Sequence, residues 1–258
     1  METRGLRFCW AALFALLVPT PAESANIESY VIEPKPPQAQ SREEFKAYLD
    51  ILAQAEDPQR SIDLATRFVE QFSRSEFLAQ VYRLKMHGYR SLGDAEKTIE
   101  AGEKARTANP FDVDTLLTLA SVLPSHGADT DFEKTLERAE AYANRALQEL
   151  SGLKASRAVS LSDWRVFLRR MKASAYESLG VVAFKRGKYP ESVKSFERCI
   201  QENPVAEGSQ FFRLGVAYQY IGQKDRAIAA LERAITIGPE IVGAKARVQL
   251  RELQETKP

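Results

Sequence analysis

Residues 176–204, YESLGVVAFKRGKYPESVKSFERCIQENP, and residues 211–239, FFRLGVAYQYIGQKDRAIAALERAITIGP, can be laid over each other with a constant offset of 35 residues. The first reads Tyr176-x2-Leu179-Gly180-x2-Ala183, then Gly187, Ser192-x3-Phe196, Cys199 and Pro204; the second reads Phe211-x2-Leu214-Gly215-x2-Tyr218, then Gly222, Ala227-x3-Leu231, Ala234 and Pro239. A fixed period of this length marks a stacked-repeat architecture. An aromatic and a leucine three residues apart share one helix face, and the glycine beside them lets a partner helix approach. Gly187 and Gly222 sit where the first helix must stop, and Pro204 and Pro239 end the second helix because proline lacks the next backbone donor.

Working outward, earlier stretches repeat the pattern more loosely. Residues 79–112 carry Tyr82, Met86, Tyr89, Gly93, Ala105 and Pro110 at matching intervals, with Lys85, Thr98 and Gly102 departing from it. Residues 42–75 fit as Phe45-x2-Tyr48-Leu49-x2-Leu52, a break at Asp57-Pro58, and a second helix with Ile62, Ala65, Phe68, Val69 and Phe72. A third unit opens Leu116-x2-Leu119-Ala120-x2-Leu123 and resumes at Ala139, Ala143 and Ala146 after an expected polar loop over 124–131. Residues 151–162 read as a linker. A long helix then starts at Asp163, its expected cap, with Trp164, Phe167, Leu168 and Met171 on one face to seal the joint. Residues 241–253 read as a polar-faced capping helix.

These residues resemble the tetratricopeptide repeat, whose pattern places an aromatic, a Leu-Gly pair and a second aromatic on the first helix, and an Ala, a Phe or Leu, a small residue and a closing Pro on the second. The resemblance covers roughly 200 residues, strong over 173–241 and progressively looser toward the N-terminus. It implies an all-α solenoid of about five helix pairs with a C-terminal capping helix, and a concave groove lined by the first helices that receives a protein or peptide segment. An exposed end or groove also accepts another copy of the chain, so the alternative is a self-assembling structural component of an envelope or secretion complex, ahead of an enzyme.

Helical phase selects the groove residues: Arg83, His87 and Arg90 as an i, i+4, i+7 stripe suited to carboxylates, Glu177, Val181, Phe184 and Lys185 in the fourth unit, and Phe212, Val216, Gln219 and Tyr220 in the fifth. Against this stand two plainer roles: pairing of the basic stripe with acids such as Glu76 or Asp94, and packing of Phe184 and Val216 between adjacent repeats. The groove helices lack the Asn pair that a carboxylate-clamp member of the family uses, so chaperone-tail binding is not expected.

The N-terminus has the order of a secretory signal peptide. Arg4 and Arg7 precede an apolar run over 8–18, followed by a stretch suited to cleavage after Ala22 or Ser24. The expected organisation is a signal peptide over 1–25, a proline-rich tether over 26–40 (Pro34, Pro36 and Pro37), degenerate repeats over 41–150, the linker over 151–162, and the C-terminal repeats and cap over 163–258. The apolar run is shorter than the ~20 residues a membrane span needs, so no span is expected after cleavage; an uncleaved anchor is the alternative. The destination is an exported compartment, periplasmic or extracellular, in a bacterium by preference.

Composition narrows the chemistry. Across 258 residues, 36 Lys and Arg against 35 Asp and Glu give a net charge of +1, which offers no field of one sign to gather nucleic acid. With two histidines and two cysteines, His87, His126, Cys9 and Cys199, no metal-site spacing exists, and no cofactor is expected. No G-x-S-x-G, glycine-rich phosphate loop or H-E-x-x-H occurs, His87 is the one candidate base, and Cys199 lies where a small core residue belongs. Catalytic residues are therefore not assigned.

Overall fold

In the computed structural model the described residues are 37–126, 131–156 and 159–255. They form eleven helices: α1 Arg42–Ala53, α2 Pro58–Gln71, α3 Leu78–Ser91, α4 Ala95–Ala108, α5 Val113–His126, α6 Phe132–Gly152, α7 Leu161–Lys185, α8 Tyr189–Glu202, α9 Gly208–Tyr220, α10 Lys224–Ile237 and α11 Glu240–Glu255. Each packs on its successor, giving five helix pairs and a closing helix, and the first helices α5 and α7, and α9 and α11, also touch. The all-α repeat solenoid expected from the 35-residue period is the fold. The expected signal peptide and most of the expected tether lie outside the described residues.

The fourth unit explains the pattern physically. Gly180 of α7 faces Phe196 of α8, which is fully buried, and a Cβ at Gly180 would come within 2.5 Å of that ring. Ser192 stands where the repeat usually has Ala, and its hydroxyl donates to the Gly180 carbonyl at 2.8 Å, so burial leaves no hydroxyl orphaned. Gly187 turns the chain at φ +74, as Gly93 and Gly222 do at the matching turns. The second helices bury small and apolar residues on their packing faces: Ala65 and Phe68, Ala101 and Ala105, Ala139 and Ala143, Ala227 and Leu231.

Gly102 and Thr98, two departures from the pattern in the second unit, are both buried. A Cβ at Gly102 would lie 2.7 Å from Leu119 of the next unit, so glycine admits that neighbour. The Thr98 hydroxyl donates to the Asp94 carbonyl at 2.6 Å, which allows threonine in place of alanine.

Three expectations about boundaries and faces are corrected. Pro124 lies inside α5, which runs to His126. The missing donor falls in the final turn, where one lost bond costs least, and Leu123 and Pro124 are both buried. The linker is shorter than 151–162: Ser151 and Gly152 finish α6, and α7 is capped by Ser160 rather than Asp163. The Ser160 hydroxyl oxygen accepts from the Asp163 amide at 3.1 Å, and the hydroxyl donates to the Asp163 carboxylate at 2.6 Å. Leu168 and Met171 do seal the joint, against Val113, Leu116, Leu117, Ala146 and Leu150. In α1 the chain buries Glu44, Tyr48 and Ile51 and turns Phe45, Leu49 and Leu52 outward. Tyr48 decides this by stacking on Phe77, just ahead of α3, centroids 4.4 Å apart.

Candidate binding surface

The basic stripe of α3 forms as helical phase predicts, but it meets acids at the start of the next first helix. Arg83 Nη1 donates to Asp112 Oδ1 at 3.0 Å and its Nε lies 3.8 Å from Asp114 Oδ2. His87 Nε2 sits 2.5 Å from Asp114 Oδ2, and Arg90 Nη1 reaches Thr118 Oγ1 at 3.5 Å. Glu76 and Asp94, the acids expected from sequence, are engaged elsewhere: Glu76 accepts from the Gln38 amide, and Asp94 caps α4 and pairs with Lys97. Burial alone would raise the Asp114 carboxyl; His87, Arg83 and Arg90 outweigh it and hold it below the ordinary carboxylate range. Arg90 is pulled down by burial against the opposing effect of Asp114. The stripe is thus a seam between repeats more than an open anion site.

A second seam joins α7 to α9. Arg213, which is buried, pairs with Glu177, which also receives Gln210 Nε2 at 3.5 Å. Burial draws the Arg213 guanidinium down to about 10. Helical phase had selected its neighbours. Phe212 and Val216 are 1% and 0% exposed, in one cluster with Val242, Ala246 and Leu253 of α11, so neither is available to a partner. The cause is α11, which covers the face of α9 that would otherwise be left as groove. The signal that finds Arg213 is the charge complement of Glu177, 36 residues earlier.

Of the remaining selected residues, Gln219 is half-buried with an Oε1 that has no hydrogen-bond partner among the described residues. Phe184 is buried at the end of α7, and its ring meets Tyr189 at 5.2 Å and Tyr220 at 5.1 Å, with Tyr189 and Tyr220 4.4 Å apart. Tyr220 is 38% exposed and forms the outer edge of this cluster. Lys185 is half-buried with its ammonium 5.6 Å from the centre of the Phe132 ring, and burial lowers its pKa. Val181 packs against the same core as Phe184. Sequence reasoning missed a separate open cleft of about 510 Å³ bordered by Ile62, Thr66, Arg67, Tyr89, Leu92 and Lys97.

Cys199 is buried, and burial pushes its thiol up to about 12, which keeps it from acting as a thiolate nucleophile. Among the described residues no group of three or more His, Cys, Asp or Glu side chains could hold a metal ion. No described helix is long and apolar enough to cross a membrane.

Residues 173–202 and 211–240 each match a model of the tetratricopeptide repeat, the two units whose register is tightest. The helical stack resembles solved solenoids of the same kind. The MamA protein aligns at TM-score 0.53 and 18% identity, over 76% of this chain and 92% of that one. A thermophilic tetratricopeptide-repeat protein of Thermus thermophilus aligns at 0.52 and 14%, over 82% and 98%. YrrB, described as a tetratricopeptide-repeat protein with an unusual peptide-binding site, aligns at 0.52 and 19%, over 78% and 88%. The chain therefore carries tetratricopeptide repeats in a tetratricopeptide-type solenoid. Among curated sequences, the photosystem I assembly protein Ycf3 of Synechococcus sp. (strain WH7803) is 28% identical over 74 residues, 28% of this chain. The match spans 43% of that relative's length.

Proposed function

We propose that this protein is an exported, non-catalytic scaffold that holds a segment of another protein along the surface formed by α3, α5, α7 and α9. The observation that carries the reading is that these first helices meet one another directly. They join through Arg83–Asp112 and His87–Asp114, through the packed face of α5 on α7, and through Glu177–Arg213. A row of helix sides fixed in this way presents side chains at set spacings to an extended or helical segment, and its rigidity lowers the entropy cost of capture. Tyr220 and Lys185 are the anchors: an aromatic face supported by Phe184 and Tyr189, and a half-buried ammonium suited to a carboxylate of the partner. The descriptions of YrrB as peptide-binding and of Ycf3 as an assembly protein support the same kind of role. Export rests on Arg4, Arg7 and the apolar run after them. The non-catalytic reading rests on the enclosed Cys199 and on His87, whose Nε2 is engaged by Asp114.

The test is mild in-cell crosslinking and affinity capture of the chain and of its Tyr220→Ala/Lys185→Glu variant, with mass spectrometry of the captured proteins and of the chain's own N-terminus. The expected result is a protein recovered with the parent and lost from the variant, on a chain beginning after Ala22 or Ser24. Equal recovery from both overturns the assignment of the surface. Recovery of the chain alone favours self-association.

A further inference from the structure

Both ends of the stack carry an apolar stripe where the end of a solenoid is expected to be polar. On α1, Phe45, Leu49 and Leu52 are 47%, 44% and 36% exposed, at i, i+4 and i+7. On α11, Ile241 and Val248 are 57% and 53% exposed, at i and i+7, with the exposed Ala244 between them. The two stripes are equal in length, about 10 Å of helix each. Phe45 is backed by Phe77, ring centres 6.5 Å apart. At the other end, α11 stands in the place of a first helix, packed on α9, and among the described residues no second helix covers its outer side. The charges beside the stripes are exposed and opposite in sign at matching places. Arg42 comes before Phe45 and Asp50 before Leu52, while Glu240 comes before Ile241 and Arg247 before Val248.

We propose that copies of this chain join head to tail, the α1 stripe of one seated on the α11 stripe of the next, so that the solenoid continues from copy to copy. Successive helices reverse direction, so α1 and α11 both run as first helices do. Within the chain, α5 on α7 and α9 on α11 already pack first helix against first helix. The same arrangement between copies sets Phe45 and Leu52 against Ile241 and Val248, and the bulky Leu49 falls opposite the notch at Ala244. Arg42 then lies beside Glu240, and Asp50 beside Arg247, across the joint. Placing α1 on α1 would instead set Leu49 against Leu49, with no notch to receive it. Because the two joining faces differ, the contact does not close on itself and generates open chains. Two single-helix faces bury less than a standard interface, so assembly is weak and depends on concentration.

The experiment is sedimentation equilibrium of the full chain at concentrations up to about 1 mM, a range suited to a small interface. The weight-average mass of the parent is expected to climb past that of a dimer. Leu49→Glu and Val248→Glu each block one end at an exposed position, so each alone is expected to stay monomeric with an unchanged melting temperature, and an equimolar mixture is expected to form dimers and stop there. Arg42→Glu should weaken association about threefold, and Arg42→Glu/Glu240→Arg should recover it. A parent that stays monomeric throughout, a mixture that stays monomeric, or a double reversal without recovery would each overturn the proposal. So would dimers of Val248→Glu alone, which would assign the α1 stripe to a second α1. None of these outcomes depends on whether a partner binds the surface of α3, α5, α7 and α9, because the joining faces lie at the two ends of the stack.

Discussion

Replacing Gly180 with alanine tests the contact that sets the spacing of α7 and α8. The added Cβ would lie 2.5 Å from two carbons of the Phe196 ring and 3.0 Å from a third, and that ring is fully buried. Overpacking of this kind costs about 1–3 kcal/mol, and a contact with an enclosed ring belongs in the upper half of that range. Alanine returns about 1 kcal/mol through its better helix propensity. The net expectation is a loss of about 1–2 kcal/mol, seen as a melting point lower by roughly 4 °C for a chain of this size. Equilibrium urea unfolding followed by circular dichroism reads the difference directly. Phe196→Leu in the same background should recover part of the loss, so the two changes should couple by about 1 kcal/mol. Gly187→Ala provides the contrast. Nothing lies within 4 Å of its Cβ position, but its φ of +74 should cost an L residue about 1 kcal/mol, with no response to Phe196→Leu. A Gly180→Ala protein more stable than the parent, or strictly additive with Phe196→Leu, would refute the packing argument.

Phe212→Ala should destabilise by about 3–4 kcal/mol because the ring is enclosed under α11, whereas Tyr220→Ala should cost about 1 kcal/mol or less; paired urea melts distinguish them. Asp114 predicts an acid limb. Its folded pKa is depressed, so its stabilisation is present above the ordinary carboxylate value near ~4 and is lost as pH falls through the lower folded value. Asp114→Asn should cost about 3 kcal/mol at neutral pH and flatten the dependence of melting temperature on pH below the ordinary carboxylate value; an unchanged acid limb would show that the seam carries no such charge.

The repeats were legible because their defining residues answer local demands. Gly180 and Gly215 make room for a facing side chain, Gly187 and Gly222 reverse the chain at positive φ, and the small residues of the second helices fit between neighbours. Each is repeated 35 residues on, so one copy checks the other. The binding surface was less legible because it depends on how one first helix lies against the next. Helical phase placed Arg83, His87 and Arg90 together, but Asp112, the partner of Arg83, lies 29 residues on and Asp114, the partner of His87, 27 residues on, and both meet them through the stacking of the repeats. Phase also placed Phe212 and Val216 on the groove side, and α11 overrides it by packing there. In α1 two apolar stripes compete, one through Tyr48 and Ile51 and one through Phe45, Leu49 and Leu52. The choice between them is made by Phe77, outside that helix.

The two ionic seams run in opposite senses. Unit two offers a base forward, Arg83, to the acids of unit three, while unit four offers an acid forward, Glu177, to the base of unit five, Arg213. At these two joints the ion pairing depends on which unit follows which. Splicing unit five directly after unit two would put Glu207, at the helix start in the register of Asp112, beside Arg83, and would leave Arg213 without Glu177. The order of the repeats is written into their edges as well as into the chain that connects them.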